Sequence, residues 1–495
     1  MEASLSQIAR WIGARLDGEA SVASRVATSI TWDSRQVRPD ALYVALPGAR
    51  VDGHDFVASA IEKGAAGALV MRDPGQQAHQ AAQAAGAALL FVEDTTAAFE
   101  RLAVAWRGQL GALVIGITGS SGKTTTKNLV RDVLSTTFST VATQANQNNE
   151  LGVPNTVLSA DRSTEMLVVE MGMRGEGQIA ALCECVRPQV GLVTNVGDAH
   201  VELLGSRNAI ARAKAELYQA LPDGSGVAVV NADDPMGPVM VNAARLPRRG
   251  VRIVSFDGSG KASAAFVGGN GAGACAASEG TGVPDVLWAS DVSLGCDGRP
   301  SFTLNFPNRS LRCTLELRGL HNVANALAAA AVGHVAGVAP EDVVAALEAS
   351  LPEGGRQQVL RTKAGVTVFD DAYNANPDSM RASLEAFVSM EASGRRFAVL
   401  GDMGELGCAA RDHHWQLGAF AAGMPFDGLV CVGRLSREIA RGAVRSGFDE
   451  DKIVTLDDAQ AALAWLEPRL EPGDAVLVKA SHAMGFDRII RGLTE

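Results

Sequence analysis

Hydrophobic residues recur along this chain in short apolar runs that are separated by segments with helical spacing. In residues 1–93 the strand-like runs ATSITWDSR, ALYVALPG and AALLFVED alternate with helical segments such as FVASAIEKGAAGALVM. Apolar runs of this length, bounded by turn residues, are typical of short strands. The alternation predicts a small α/β domain at the N-terminus.

Longer units begin at about residue 94. A helix, TAAFERLAVAWRGQL, precedes the apolar strand ALVIGIT, and a glycine-containing turn then leads into the helix TTTKNLVRDVLSTTF. Further apolar strands follow at MLVVEMG, VGLVTNV and GVAVVNAD. Strands that alternate with helices indicate a parallel, doubly wound sheet. The later pieces VLWASDVSL, SFTLNF and LRCTLEL predict an antiparallel flap on the same domain.

A linker is predicted at LPEGGRQQ, after the Ala-rich helix HNVANALAAAAVGHVAG, and strand–helix alternation then resumes from VTVFDDA to AVLVKAS. A chain of 495 residues has room for about three domains. We therefore predict an α/β protein with domains 1–93, 94–352 and 353–495. The central domain should hold a mostly parallel sheet, and the third should be Rossmann-like. Residues 257–285 are rich in Gly, Ala and Ser without periodicity, and we interpret them as a flexible surface excursion.

Composition then narrows the class of function. The net charge of −11 disfavours non-specific nucleic-acid binding, which needs a basic surface to replace counterions. The seven cysteines are an odd and scattered set, which is typical of reduced thiols in the cytosol. The sequence contains no run of about 18 apolar residues and no signal-peptide core. We expect a cytoplasmic protein without a membrane span.

The strongest local motif is the stretch from Thr118 to Thr126, TGSSGKTTT, between an apolar strand and a helix. Glycines let backbone N–H groups surround phosphates, the helix N-terminus adds partial positive charge, and Lys123 can reach the terminal phosphates. A following threonine hydroxyl can bind Mg²⁺. The longer G-x-x-x-x-G-K spacing is not met, because Ile117 stands where the first glycine would be. We interpret the motif as a phosphate-binding loop rather than an ordinary glycine corner.

Other polar residues follow apolar strands. Glu170 ends LVVE and suits a Mg²⁺ ligand, although an exposed strand-end carboxylate is an equal alternative. His200 follows a later strand, and a lone histidine is more often a structural hydrogen-bonding residue than a ligand. Lys214 lies in the helix IARAKAEL, where the residues alone favour a solvated lysine. The segment 370–377, DDAYNANP, is explained equally well by a turn and helix cap.

Taken in order, these elements resemble the Mur ligase family over essentially the whole chain. The family pattern has a short phosphate loop, a glutamate at a strand end, a histidine after the next strand and a K-x-E helix. It continues with an H-N-x-x-N helix start, a linker Gly-Arg and an aspartate loop that opens the third domain. The corresponding residues are Lys123, Glu170, His200, Lys214, Glu216, His321, Asn322, Asn325, Gly355, Arg356 and Asp371.

The resemblance implies an ATP-dependent amide-bond ligase that forms an acyl phosphate. It implies that ATP phosphates are held by Gly119, Ser120, Ser121, Gly122, Lys123, Thr124 and Thr125. It implies two Mg²⁺ ions, one on Thr124 and Glu170 and one on His200 and a carbamate formed on Lys214. The catalytic group would be Lys123, Glu170, His200 and Lys214. The adenine would lie at Asn322 and Asn325, and the ribose and phosphates at Arg356 and Asp371.

Finer motifs are similar to the family branch that joins D-alanyl-D-alanine to UDP-N-acetylmuramoyl-tripeptide. They are DDAYNANPDSM at 370–380, GDMGELG at 401–407, TQANQNNELGVPNT at 143–156 and ITWDSRQVRPDALYVALPGARVDGHDF near the N-terminus. The resemblance implies substrate contacts by Asp33, Ser34, Arg35, Asn146, Asn148, Asn149, Tyr373, Asn374 and Asn376. It also implies a monomer whose partners are these two substrates. A family member that adds a single amino acid, or one of the folate polyglutamate branch, is the alternative.

Two other classes fit less well. A regulatory GTPase needs an N-K-x-D motif, and the nearest string, Asn231 to Asp234, lacks the lysine. A nucleotide-sugar binder without catalysis would not need all the residues named above. One departure from the family concerns the end motif L-V-K-G-S-R, which reads Leu-Val-Lys-Ala-Ser-His here, so that His482 stands in place of arginine. A contact made there would be weaker and pH-dependent.

Overall fold

The computed structural model describes residues 1–48, 51–258 and 285–495. Residues 259–284, almost all of the predicted surface excursion, lie outside the described residues. The described strands form three large sheets and one two-stranded ribbon, arranged in chain order. The prediction of an α/β protein built from three such units is confirmed.

The N-terminal sheet has five strands in the order β2-β7-β6-β5-β4, and β4 to β7 are parallel. A short ribbon, β1 with β3, lies beside it. The strands are β1 (Ala3–Ser4), β2 (Arg15–Asp17), β3 (Val26–Ala27), β4 (Ser29–Thr31), β5 (Ala41–Val44), β6 (Gly67–Val70) and β7 (Ala88–Phe91).

The central sheet has nine strands in the order β16-β15-β14-β13-β12-β11-β8-β10-β9. They are β8 (Leu113–Thr118), β9 (Thr140–Ala142), β10 (Met166–Glu170), β11 (Val190–Val193), β12 (Val227–Asn231), β13 (Arg252–Asp257), β14 (Val286–Leu294), β15 (Pro300–Phe306) and β16 (Arg309–Thr314). Strands β8 to β14 are parallel, whereas β14, β15 and β16 pair antiparallel. The predicted antiparallel flap is therefore present and extends one edge of the parallel sheet.

The C-terminal sheet has six strands in the order β17-β18-β22-β19-β20-β21. They are β17 (Gln358–Arg361), β18 (Thr367–Asp370), β19 (Arg396–Gly401), β20 (Gly428–Val432), β21 (Ile453–Leu456) and β22 (Ala475–Lys479). Apart from β17, all are parallel. Apolar clusters cover both faces of this sheet, as a doubly wound fold requires.

Helices connect and cover the strands. The α-helices are Leu5–Ile12, Ala20–Ala23, Val57–Glu62, Gln76–Ala85, Thr95–Arg107, Lys123–Ser135, Gly152–Ser159, Gln178–Val186, Val201–Leu204, Arg207–Gln219, Gly237–Ala243, His321–Ala336, Pro340–Ala349, Pro377–Ser389, Ala410–Ala421, Ser436–Arg445, Ala459–Leu466 and Asp487–Thr494. Short 3₁₀ turns occur at Gly53–Phe56, Leu246–Arg249, Gly407–Ala409, Glu450–Lys452 and His482–Met484. Within the described parts of the chain, no helix is both long and apolar enough to cross a membrane.

The N-terminal and central units share a core. Helix Leu5–Ile12 packs on helix Thr95–Arg107, and one apolar cluster runs from Met1 to Val251. Trp106 is fully buried at this junction, and its indole N–H donates to the Ala160 carbonyl at 2.9 Å. Burying a tryptophan with its N–H paired is favourable for the free energy of folding. The two units therefore support each other.

Candidate functional site

A cleft of about 1390 Å³ lies between the central and C-terminal sheets. The parallel strands of both sheets point their carboxyl ends toward it, the edge at which open α/β sheets bind ligands. Most of the residues singled out in the sequence line this cleft. They are Gly119, Ser120, Ser121, Gly122, Lys123, Thr124, Thr125, Asn146, Asn148, Asn149, Glu170, His200, Asn322, Asn325, Arg356, Asp371, Tyr373, Asn374 and Asn376.

The phosphate-binding loop follows β8 and leads into helix Lys123–Ser135. Gly119 has φ 156°, and a Cβ there would approach the Thr194 hydroxyl to 1.8 Å. Gly122 has φ 74°, and its Cβ would meet the Asn325 Oδ1 at 2.6 Å. Both positions therefore require glycine. Two of the loop N–H groups, those of Ser120 and Ser121, donate to Asn195.

Lys123 is the first residue of that helix. Its Nζ donates to the Gly119 carbonyl at 2.8 Å, so the ammonium folds back over the loop. Burial lowers the pKa of Lys123, Glu170 nearby raises it, and Arg356 lowers it. An anionic ligand in the loop would favour the charged form and offset the burial.

Glu170 ends β10 and is 1% exposed. Its Oε1 accepts hydrogen bonds from the Asn148 amide at 2.8 Å and from the Thr124 hydroxyl at 3.3 Å. Its Oε2 is buried without a hydrogen-bond partner. An unpaired carboxylate oxygen beside a threonine hydroxyl is a donor set that fits Mg²⁺, a cation that prefers hard oxygens.

No group of three or more His, Cys, Asp or Glu side chains that could hold a metal occurs among the described residues. The site therefore does not resemble a cage built from protein ligands alone. Mg²⁺ is usually bound through one or two carboxylates together with substrate phosphates and waters. The Glu170 site fits that arrangement, because the phosphate loop adjoins it.

Lys214 is buried, at 1% exposure, in helix Arg207–Gln219, so the interpretation of it as a solvated helix lysine is wrong. Burial and the nearby charge of Lys123 hold its pKa well below the ordinary value, while Asp234 raises it. The helix is oriented by Glu216, whose carboxylate accepts the Gly177 and Ala180 N–H groups. A lysine that loses its proton easily can react with CO₂ to form a carbamate.

His200 has a left-handed backbone, with φ 67°, and its Nδ1 lies 2.5 Å from Glu405 Oε2. Glu405 also has a positive φ, 61°, and its Oε1 lies 3.3 Å from Arg174 Nε. Glu405 belongs to the loop after β19, so this contact joins the C-terminal unit to the central one. Burial lowers the pKa of His200, and Glu405 opposes that effect.

The helix that starts at His321 faces the phosphate loop. The Asn325 amide donates to Asn322 Oδ1 at 2.8 Å, and Asn325 Oδ1 accepts from the Thr126 hydroxyl at 3.2 Å. Across the cleft the Arg356 guanidinium lies 4.1 Å from the centre of the Tyr373 ring, a cation–π contact. The His482 ring also lies beside the Tyr373 ring, with the centres 5.7 Å apart.

The loop after β18 carries Asp371, Tyr373 and Asn374. Lys479 donates to Asp371 Oδ2 at 2.6 Å and to the Asn374 carbonyl at 2.9 Å. Asn376 caps the helix Pro377–Ser389, since its Oδ1 accepts the Ser379 N–H at 2.8 Å. The turn-and-cap interpretation of this segment thus accounts for Asn376, while Asp371 faces the cleft.

The segment 143–149 is held by a buried lysine. Lys127 donates to the carbonyls of Thr143 and Ala145, at 2.8 and 3.1 Å. The predicted substrate residues Asn146, Asn148 and Asn149 of this segment line the cleft, and Asn148 contacts Glu170.

Asp33, Ser34 and Arg35 lie in the N-terminal unit. They are not among the described residues that line this cleft. Asp33 binds the Arg35 guanidinium at 2.8 Å, and hydrogen bonds from Arg35 lower the pKa of Asp33 to about 2. The Arg35 side chain is 86% exposed. The structure therefore separates these residues from the phosphate loop.

Comparison with known proteins agrees with this geometry. Three family models match in series: the Mur ligase family catalytic domain at residues 26–107, the Mur ligase middle domain at 117–333 and the Mur ligase glutamate ligase domain at 355–482. A UDP-N-acetylmuramoyl-tripeptide–D-alanyl-D-alanine ligase from Mycobacterium tuberculosis is 41% identical. The match covers 100% of this chain and 98% of the relative. The chain belongs to the Mur ligase family.

Solved structures of Mur ligases have the same arrangement. MurF from Acinetobacter baumannii matches with a TM-score of 0.81 and 30% identity, covering 100% of this chain and 99% of that one. MurF from Thermotoga maritima in complex with ADP matches with a TM-score of 0.72 and 27% identity, covering 94% and 97%. The resemblance inferred from ordered motifs is thereby confirmed at the level of the family.

Several cleft residues of this Mur ligase had no role predicted from the sequence. Arg174, Asp234, Glu405 and Lys479 all line the cleft. Asp234 accepts the N–H groups of Val196 and Met236 and so holds the turn that leads to His200. Lys479 is the last residue of a parallel strand, and the other three follow the end of a parallel strand by three or four positions. This placement is the signal that could have identified them.

His321 provides a prediction about stability. Burial, helped by Lys479, lowers its pKa to about 4, while Asp371 and Gln357 oppose the shift. The unfolded chain binds a proton near pH 6.5, whereas the folded chain does so only near pH 4, so stability is lost as pH falls between these values. We expect this loss to reach about 3 kcal/mol, as measured by urea unfolding at several pH values.

In the same measurement, the free energy of unfolding of His321→Asn should fall less steeply between pH 6.5 and 4. His79→Asn, which changes a partly exposed histidine, serves as the matched control and should behave like the unmodified protein. Equal slopes for all three proteins would contradict the prediction.

Proposed function

We propose that this protein uses ATP to join D-alanyl-D-alanine to UDP-N-acetylmuramoyl-tripeptide. The observation that carries the proposal is a single cleft that combines a phosphate-binding loop from one sheet with polar loops from another. The full-length relative that is 41% identical bears the name of this activity. A ligase needs such a cleft, because a phosphorylated acid and an amine must meet away from water.

The three predicted domains divide this work in the proposal. Residues 1–93 would bind the uridine diphosphate through Asp33, Ser34 and Arg35, which present an exposed arginine held by an aspartate. Residues 94–352 would bind ATP, and residues 353–495 would bring the dipeptide. Asn146, Asn148 and Asn149 would contact the muramoyl-peptide, and Tyr373, Asn374 and Asn376 the dipeptide side.

In the first step a terminal carboxylate oxygen of the tripeptide attacks the γ-phosphorus of ATP. The bond from that phosphorus to the bridging oxygen breaks, so that ADP leaves and an acyl phosphate forms. Two anions must approach each other, so Lys123 and the loop N–H groups neutralise charge along the line of transfer. Mg²⁺ held by Thr124 and Glu170, with a second ion at His200 and carbamylated Lys214, would supply further neutralisation. Asn322, Asn325, Arg356 and Asp371 hold the nucleoside so that the γ-phosphate stays in line.

In the second step the neutral amine of the dipeptide attacks the acyl carbon. The bond from that carbon to the phosphate oxygen breaks, and phosphate and one proton from the nitrogen are released. The contact of Glu405 with His200 and Arg174 keeps the C-terminal unit docked over the phosphate loop. Docking would exclude water from the acyl phosphate and bring the amine within reach.

We further propose that the protein acts as a monomer in the cytoplasm. Both proposed nucleotide substrates, ATP and the uridine diphosphate sugar, are charged molecules that would be met in the cytosol.

The test is ATP-dependent phosphate release with Mg²⁺ and UDP-N-acetylmuramoyl-tripeptide, with and without D-alanyl-D-alanine. Parallel reactions replace the dipeptide with D-alanine, L-lysine, diaminopimelate or D-glutamate, and one reaction uses a folate acceptor with glutamate. We expect release only with the dipeptide. Activity with a single amino acid would keep the family but contradict the proposed donor, and folate-dependent release would favour the folate branch.

A further inference from the structure

Lys479 is the last residue of β22, a central strand of the C-terminal sheet, and is 2% exposed. Strand β22 lies between β18 and β19, so its end separates the loop that carries Asp371 from the loop that carries Glu405. Lysine is almost never this buried unless it is paired. Lys479 also lies at the carboxyl edge of the sheet, where open α/β sheets bind ligands.

Within the described parts of the chain, the hydrogen bonds of the Lys479 ammonium all go to one loop. Nζ lies 2.6 Å from Asp371 Oδ2, 2.9 Å from the Asn374 carbonyl and 3.4 Å from the Asp371 carbonyl. A lysine ammonium has three protons to donate. Here they fix both the carboxylate of Asp371 and the path of the chain that follows it.

This loop is tied to the other residues on the nucleoside side of the cleft. The Tyr373 N–H donates to the Gly355 carbonyl at 3.1 Å, and the Tyr373 ring carries the Arg356 guanidinium at 4.1 Å. A displacement of the loop would therefore move Arg356 as well. The ion pair occupies Oδ2 of Asp371. Oδ1 is left to accept a hydrogen bond from a hydroxyl group of a ligand in the cleft.

We propose that Lys479 is a positioning residue that aims Asp371 at the ribose hydroxyls of the nucleotide. This inference rests on the proposed use of ATP but not on the identity of the acid or the amine. Without Lys479 the carboxylate of Asp371 loses its buried partner, and such a group moves toward water or takes up a proton. The Asp371 carboxylate would then no longer favour nucleotides that carry the ribose hydroxyl.

The experiment measures binding of Mg²⁺·ADP, 2′-deoxy-ADP and 3′-deoxy-ADP by calorimetry, with no acid or amine present. A hydrogen bond from a hydroxyl to a charged group corresponds to a preference of roughly 10- to 100-fold. We expect the unmodified protein to prefer ADP over one deoxy analogue by about that factor. In Lys479→Met the preference should fall to about twofold.

The variants Asp371→Asn and Lys479→Met/Asp371→Asn complete a double-mutant cycle. If Lys479 acts through Asp371, the double variant should lose no more of the preference than either single variant. Lys479→Arg, which keeps the charge, should retain part of it. Lys452→Met, which changes an exposed lysine of the same unit, should leave the preference intact.

A purely structural role predicts a different result, in which Lys479→Met binds all three nucleotides more weakly by the same factor. That result, or an additive cycle, would overturn the inference, as would an unmodified protein that binds ADP without preferring a ribose hydroxyl. Binding of the uridine diphosphate substrate checks that each variant is folded. A folded protein that bound no ADP at all would instead contradict the proposed function.

Discussion

Replacing Lys123 with methionine is expected to lower kcat by about 10³-fold, the cost of removing one preorganised charge from a transition state. Methionine keeps much of the side-chain volume, so the helix that Lys123 begins should be unaffected. The loss should fall on phosphoryl transfer, because the ammonium already lies over the phosphate loop, 2.8 Å from the Gly119 carbonyl. Steady-state phosphate release with saturating ATP, acid and amine measures the change in kcat.

Two control measurements test whether the effect of Lys123→Met is specific to phosphoryl transfer. Binding of UDP-N-acetylmuramic acid, which lacks the peptide that would enter the cleft, should be unchanged without nucleotide, because Asp33, Ser34 and Arg35 lie outside the cleft that holds the loop. Lys452→Met, an exposed lysine of the C-terminal unit, should retain full activity. A Lys123→Met enzyme with more than about a tenth of normal kcat would contradict the assignment of this lysine to the transferring phosphate, given the size of the charge effect.

Replacing Lys214 with methionine should have opposite effects on activity and on stability. Activity should fall by at least about 10²-fold, since the oxygens of the proposed carbamate can no longer form. In CO₂-free buffer, however, the variant should be more stable by about 1 kcal/mol, because an apolar side chain replaces a buried amine. The low pKa of Lys214, which burial and Lys123 cause, supports this expectation.

Chemical rescue separates the two roles of Lys214. In Lys214→Ala, added formate or acetate can enter the space that the side chain leaves and supply the missing carboxylate oxygens. We expect partial recovery of activity with these acids and none with chloride at equal ionic strength. The unmodified enzyme should lose activity when CO₂ is removed and regain it with bicarbonate. Full activity in CO₂-free buffer would show that no carbamate is needed.

The sequence by itself determined those features that depend on neighbouring residues. The turn from Gly119 to Thr124 could be read directly, because a phosphate loop is built by consecutive backbone groups between one strand and one helix. Apolar runs that alternate with helical segments predicted the doubly wound sheets, because each run depends only on neighbouring residues. The order of Glu170, His200 and Asn322 along the chain identified the family.

The environment of each side chain was decided only by the tertiary structure. Nothing local distinguishes Lys214 from a solvated helix lysine. Its burial arises because its helix packs against β8 and β11 of the central sheet. The pairs Glu405–His200 and Lys479–Asp371 join residues more than 100 positions apart. Burial and long-range charge pairing depend on how sheets and helices assemble in space, so the sequence pattern alone did not predict these pairs.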